Sequence, residues 1–357
     1  MKFYQTCTDL SQQFRLSESE QKQLNEICMR YPMRTNSYYL SLVDPDDPAD
    51  PIRKMSIPSA WELDEGGHDD TSGEEHNTVL DGLQHKYQRT ALLLFSSECY
   101  MYCRHCFRKR MVGITDAETN KQLEQTMDYL RSHPEIDNVL VSGGDALCCS
   151  NEKLERCLEL FSSLPQLRFI RIGTRVPVVL PQRIYEDTEL LDMLQKYNSK
   201  KQIYIVTQFN HPRELTSEAI RGIKALLSRG IVIRNQTVLL KGVNDDGQVL
   251  GQLLMNLTAA GVLPYYVFQC RPVRGVLNHF QVPLQQGCDI VNAARTLVNG
   301  QAKAFRYVMS HETGKIEILG KLPDNTMLFK YHQSKYEADE NRIFTRKLAA
   351  DACWLPE

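Results

Sequence analysis

The sequence predicts an α/β fold: a partial (β/α)6 barrel of TIM type, flanked by a helical N-terminal region and a β-rich C-terminal extension. Three observations carry this expectation. Short apolar or β-branched runs alternate with helix-like stretches from about residue 90 to residue 299. The runs are nearly continuous in apolar residues, as in parallel strands covered by helices. After about residue 300 the alternation gives way to short strands joined by turns. The expected divisions are 1–85, 86–299 and 300–357.

In chain order, SESEQKQLNEICMRYP reads as a capped helix that stops before a proline. LVDPDDPADPIRK reads as an extended loop, and the acidic DEGGHDDTSGEEHN as a mobile one. Strands are expected at 91–96, 137–142, 168–173, 202–208, 231–240 and 265–270. Between them AETNKQLEQTMDYLRSH, NEKLERCLELFSSL, TELLDMLQKYN, TSEAIRGIKALLSRG and DDGQVLGQLLMNLTAAG read as helices. Right-handed crossovers curl such a sheet toward a barrel, and six units rather than eight suggest an open one. AFRYVMS, GKIEILG and TMLFKYHQ supply the C-terminal strands.

The 357 residues are 42% hydrophobic and 24% charged, enough for a sizeable core. A net charge of −2 gives no basic field for nucleic acid. No apolar run is long enough to span a bilayer, and MKFYQTCTDL lacks a signal-peptide pattern, so the cytoplasm is expected. Eleven cysteines in such a chain point to reduced thiols or metal ligands rather than disulfides.

Three of them, Cys99, Cys103 and Cys106, form C-x3-C-x2-C directly after the first expected strand. In a parallel barrel the loops leaving the C-terminal strand ends carry the chemistry. Three thiolates on one loop can hold three irons of a [4Fe–4S] cubane. The fourth iron is then open to chelate S-adenosylmethionine, whose reductive cleavage gives a 5′-deoxyadenosyl radical. A zinc knuckle with His105 as fourth ligand is the alternative.

The later strand ends are polar. The run Ser142-Gly143-Gly144-Asp145 can bring backbone N–H groups against the amino acid part of S-adenosylmethionine, or can be a turn with Asp145 as a helix cap. Arg175, Arg183, Asn210, His211, Asn235, Gln236 and Arg271 complete a polar ring at the expected barrel mouth.

These residues resemble the lysine 2,3-aminomutase family of radical S-adenosylmethionine enzymes. The matching stretches are YYLSLVDPDDPADPIRK, GLQHKY, CYMYCRHCFRKR, SGGDAL, IGTRVPVVLPQRI, QFNHPRELT, NQTVLLKGVND and PYYVFQC, in the family's order from about residue 38 to 288. The resemblance implies an enzyme that moves an amino group between adjacent carbons of an amino acid, a small-molecule substrate. It implies a cluster, S-adenosylmethionine and pyridoxal 5′-phosphate (PLP). It also implies a homo-oligomer, built through the N-terminal region, and an electron donor such as flavodoxin or ferredoxin.

By the same resemblance Cys99, Cys103 and Cys106 are cluster ligands; Ser142, His211 and Gln236 lie near S-adenosylmethionine; and Arg108 grips the substrate carboxylate. Lys315 matches the PLP lysine, with Lys86 and Tyr87 upstream of the first strand on the PLP side. Thr90 stands where another phosphate-binding arginine would be. The family's two lysine-binding aspartates are replaced by Arg271 and Ser310. A cation does not favour the ammonium of lysine, so a substrate with an acidic end is expected. Two rival readings keep less of the family: a radical enzyme without PLP acting on another substrate such as a protein side chain, and a metal-stabilised binding protein without turnover.

Overall fold

A computed structural model describes residues 1–11, 14 and 17–356. One sheet of twelve strands organises the chain, with strands adjacent in space in the order of the sequence. These are β1 (Thr78–Leu80), β2 (Leu83–Tyr87), β3 (Thr90–Ser96), β4 (Asn138–Gly143), β5 (Phe169–Gly173), β6 (Gln202–Thr207), β7 (Val232–Leu239), β8 (Leu263–Gln269), β9 (Arg306–His311), β10 (Gly314–Leu322), β11 (Thr326–Ser334) and β12 (Ile343–Lys347). Pairing is parallel from β3 to β9 and antiparallel on either side. The sheet keeps two edges, at β1 and β12, so the barrel is open.

The expected six strand–helix units are present. Their helices are α2 (Leu123–Ser132), α3 (Asn151–Ser163), α4 (Thr188–Asn198), α5 (Ser217–Ser228) and α6 (Gly247–Ala259), with α1 (Glu18–Arg30) ahead of the barrel and α7 (Leu284–Leu297) after β8. The N-caps are built in the sequence. Ser150, Asp187, Thr216 and Asp246 accept from the first-turn N–H groups of α3 to α6, and Ser17 with Glu20 forms a capping box on α1. Each such cap contributes about 1 kcal/mol.

Strand alternation separates two faces. On β4, Val139 and Val141 are fully buried under helices, while Leu140 and Ser142 face the barrel interior. The parallel run extends one strand past the sixth unit, because α7 returns the chain so that Val308 pairs with Phe268. β9 to β12 then fold back as antiparallel strands over their own apolar core.

The acidic segment 64–77 is not the mobile loop that its composition suggests. His68 N–H donates to Pro272 O at 2.9 Å, and Asp70 accepts from the N–H groups of Ser72 and Glu75. Ser72 O accepts from Lys86 Nζ at 3.2 Å. Hydrogen bonds to Pro272, to Lys86 and within the segment thus hold this strap in place.

Candidate active site

The cavity inside the barrel has a volume of about 600 Å³. It brings together Cys99, Cys103, Cys106, Arg108, Ser142, Gly143, Gly144, Asp145, Gln236, Lys86, Tyr87, Arg271, Ser310 and Lys315. His211 stands apart: its Nδ1 accepts from Arg213 N–H at 3.2 Å and caps a short helical turn, outside the cavity lining.

The cysteine loop is held by buried charge. Glu62, fully buried, accepts from Arg104 and from Lys109 Nζ (2.6 Å). Arg104 also donates to the carbonyls of Pro32 and Tyr31. Arg175 Nη1 donates to Cys103 Sγ at 2.7 Å while its Nη2 pairs with Glu214 at 2.6 Å. The guanidinium thus sets a hydrogen-bond donor against a sulfur of the proposed ligand set. All three loop thiols are free.

Among the described residues no set of three His, Cys, Asp or Glu side chains converges on one metal ion. A tetrahedral zinc site needs that convergence. A cubane does not, since each thiolate takes a different iron. His105 lines the same cavity, with Nε2 3.0 Å from Gln208 Nε2 and 3.2 Å from Asn210 Nδ2.

The paired glycines act differently from the sequence expectation. Gly144 N–H donates to Ser96 O and Asp145 N–H to Glu98 O, so these groups brace the cysteine loop rather than pointing at a ligand. Gly143 has φ +109°, and a Cβ there would lie 2.3 Å from Ser96 O. Asp145 caps the turn Ala146–Cys148 and also accepts from Thr174 Oγ1 and Arg175 N–H. Burial pushes its carboxyl up, against these hydrogen bonds.

Arg108 is oriented by Glu74, which sequence reasoning missed. Glu74 Oε1 accepts from Arg108 Nη2 at 2.8 Å and from Nε at 3.1 Å; Oε2 accepts from Arg110 at 2.7 Å. Burial opposes ionisation, but the two guanidinium groups outweigh it and hold the Glu74 carboxyl at about 2. Arg108 Nη1 donates to Gly143 O, which leaves two of its five N–H bonds for a ligand. Arg271, at the end of β8, lies over the Phe107 ring at 4.1 Å and donates to Ser72 Oγ. Burial and neighbouring Arg108 lower it to about 10, against the pull of Glu74, so it is charged at neutral pH.

Lys315 lies near the start of β10, and its Nζ lies 4.5 Å from the Tyr266 ring centroid and 3.3 Å from Gln333 Oε1, with no carboxylate partner among the described residues. Burial lowers it to about 7, helped by the cationic Arg171, Arg271 and Lys86. An amine with a large neutral fraction near neutrality and facing a cavity suits attack on an aldehyde. Lys86 is likewise lowered to about 7 by burial and Arg271, but its Nζ donates to the carbonyls of His311 (2.7 Å) and Ser72. Burial pushes the Tyr87 hydroxyl up.

An open parallel barrel with three cysteines on the loop after its first parallel strand defines a radical S-adenosylmethionine enzyme. No family model matches the chain. It is 41% identical over 344 residues to a putative L-lysine 2,3-aminomutase of Aquifex aeolicus, covering 96% of this chain and 91% of that protein. It is 39% identical to L-lysine 2,3-aminomutase of Clostridium subterminale (83% and 70% covered) and 37% identical to glutamate 2,3-aminomutase of Clostridioides difficile (82% and 68%). A radical SAM methyltransferase structure from Sphaerobacter thermophilus superposes with a TM-score of 0.39 at 15% identity, covering 63% of this chain and 68% of the other. The chain belongs to the lysine 2,3-aminomutase family. Enzymes of this family use a [4Fe–4S] cluster, S-adenosylmethionine and PLP. The three cavity-lining thiols and the cavity-lining lysine, its ammonium weakened by burial, fit that set.

Proposed function

We propose that this enzyme is an amino acid 2,3-aminomutase whose substrate carries an anionic side chain, with glutamate as the type. One observation carries the choice. The acids lining the cavity are Glu74 and Asp145, and both are already engaged, whereas Arg271 is a half-buried cation just past the end of β8. A substrate ammonium would meet no free carboxylate there, and a carboxylate would meet a guanidinium.

Cluster and S-adenosylmethionine supply a radical that can take hydrogen from carbon, and PLP supplies the conjugation that lets an amino group move to the adjacent carbon. The chain binds and orients. Arg108, steadied by Glu74, offers its remaining N–H bonds to the substrate α-carboxylate. Arg271 takes the distal carboxylate. Lys315 presents an uncharged amine for the PLP aldehyde. Phe107, Phe268 and Val273 give the cavity apolar wall that excludes water from the radical. Cys99, Cys103 and Cys106 hold the cluster, with Ser142 and Gln236 on its S-adenosylmethionine side. The reading includes a flavodoxin- or ferredoxin-type electron donor, a homo-oligomer and a cytoplasmic setting; among the described residues no helix is long and apolar enough to cross a membrane.

The test is anaerobic reconstitution with iron, sulfide, S-adenosylmethionine, PLP and a reductant, followed by product analysis with glutamate and with lysine. Turnover of glutamate above lysine is expected, with Arg271→Asp narrowing or reversing the ratio by roughly tenfold or more. Lysine turned over as well as glutamate by the unaltered enzyme would overturn the proposal.

A further inference from the structure

We propose that Arg175 is a positioning residue for electron entry: held by Glu214, its guanidinium sets how readily a cluster on the cysteine loop accepts an electron. The inference rests on the cluster placed at Cys99, Cys103 and Cys106 in the function proposed above. Arg175 lies two residues past the end of β5 and lines the cavity. Its backbone is fixed by Asp145, beyond β4, whose Oδ2 accepts from Arg175 N–H at 2.7 Å.

Arg175 Nη1 donates to Cys103 Sγ at 2.7 Å. The rest of the guanidinium is held by the chain. Nε donates to Gln208 O at 3.0 Å, and Nη2 donates to Glu214 Oε1 at 2.6 Å and to the Tyr39 hydroxyl at 3.4 Å. Glu214 is fully buried and fixed in turn. Its Oε1 accepts from the Tyr39 hydroxyl at 2.6 Å, and its Oε2 accepts from Asn210 N–H at 2.6 Å and His211 N–H at 3.0 Å. Supports from the N-terminal region, from the loop after β4 and from the loop after β6 thus aim one N–H at one sulfur.

An ion pair that only tied these loops together would need no donor on the sulfur. Among the described residues neither Cys99 nor Cys106 takes a side-chain hydrogen bond, so the donor is directed at Cys103 alone. Reduction adds one electron, taken from a low-potential one-electron donor, and places more negative charge on the sulfurs. An N–H bond to a sulfur stabilises that more negative state, and such bonds are among the levers that set cluster potentials. Glu214 balances the buried charge of Arg175. The pair therefore acts as a fixed dipole whose positive end lies on Cys103.

The experiment is a potentiometric titration of the reconstituted protein, followed by the electron paramagnetic resonance of the reduced cluster, in the unaltered protein and in Arg175→Lys. Lysine keeps a cation beside Glu214 but lacks the fork that also reaches the sulfur. Iron content is expected to be unchanged. The ratio of reduced to oxidised cluster at a fixed potential is expected to fall roughly tenfold, a midpoint lower by about 59 mV for a one-electron couple. In unaltered protein carrying arginine labelled with ¹⁵N at the guanidinium, pulsed measurements on the reduced cluster are expected to show ¹⁵N coupling, a result that stands even if Arg175→Lys assembles no cluster. An unchanged midpoint in Arg175→Lys with full iron content, or no ¹⁵N coupling in the unaltered protein, overturns the role of Arg175 and leaves the proposed function standing. Failure of the unaltered protein to assemble a cluster overturns both.

Discussion

The mouth and the floor of one cavity treat charge in opposite ways. Around the cysteine loop most enclosed cations have an acid: Arg104 and Lys109 share Glu62, Arg108 and Arg110 share Glu74, and Arg175 has Glu214, whereas Arg271, over Phe107, donates to Ser72 Oγ. At the floor, Lys315, Arg171 and Arg234 have none among the described residues. The mouth is built before any ligand arrives, because its pairs fix side-chain geometry from within the chain. The floor is completed by what binds. Substitutions at the mouth should therefore disturb assembly and folding, and those at the floor should disturb ligand affinity and pH response.

The largest effect belongs to the cluster loop. Cys103→Ala is expected to abolish cluster assembly and to reduce release of 5′-deoxyadenosine to background, read by iron content and by product chromatography after anaerobic reconstitution. Robust cleavage of S-adenosylmethionine by that variant would remove the loop from the chemistry. Next comes Glu62→Gln, which leaves Arg104 and Lys109 buried without a counter-charge. A loss of about 3–5 kcal/mol in unfolding free energy is expected, read from the denaturant midpoint. A loss below about 1 kcal/mol would show that the mouth is not held by its pairs.

The contrast also explains what could be read from sequence. The six strands and the cysteine position were legible because periodicity and C-x3-C-x2-C are local signals. The placement of Arg271 and Lys315 in one cavity agrees with the resemblance. The strap was not legible. Acidic, glycine-bearing sequence looks solvated until Glu74 meets Arg108 and Arg110, more than thirty residues on, and His68 meets Pro272. The parallel strand at Arg306–His311 reads from sequence as part of the extension, because the helix that delivers it, Leu284–Leu297, starts after Pro283 without a side-chain cap. The floor left a signal that went unused: RFIRIG and IVIRNQTVLL each carry an arginine inside an apolar run. An arginine at an inward position of a covered strand has no solvent to reach, so it belongs to a site.

The smallest expected effect is a pH shift at the floor. A free lysine titrates near 10.4, but burial, then Arg171, Arg271 and Lys86, hold Lys315 at about 7. The neutral amine, which reacts with the PLP aldehyde, therefore becomes the major form as pH rises through about 7. The rate at which PLP absorbance develops should climb with pH and level off above about 8. Removing one neighbouring cation eases the repulsion on the ammonium, so the folded pKa rises and the midpoint moves to higher pH. Arg271→Gln should produce that upward shift while burial keeps the midpoint below that of a free lysine. A midpoint near 10 in the unaltered protein would mean that Lys315 is solvated and that the floor is not an anion-seeking site. A midpoint near 7 that Arg271→Gln does not move would leave burial, Arg171 and Lys86 as the causes, and would place the guanidinium of Arg271 too far from Lys315 to act on the same ligand.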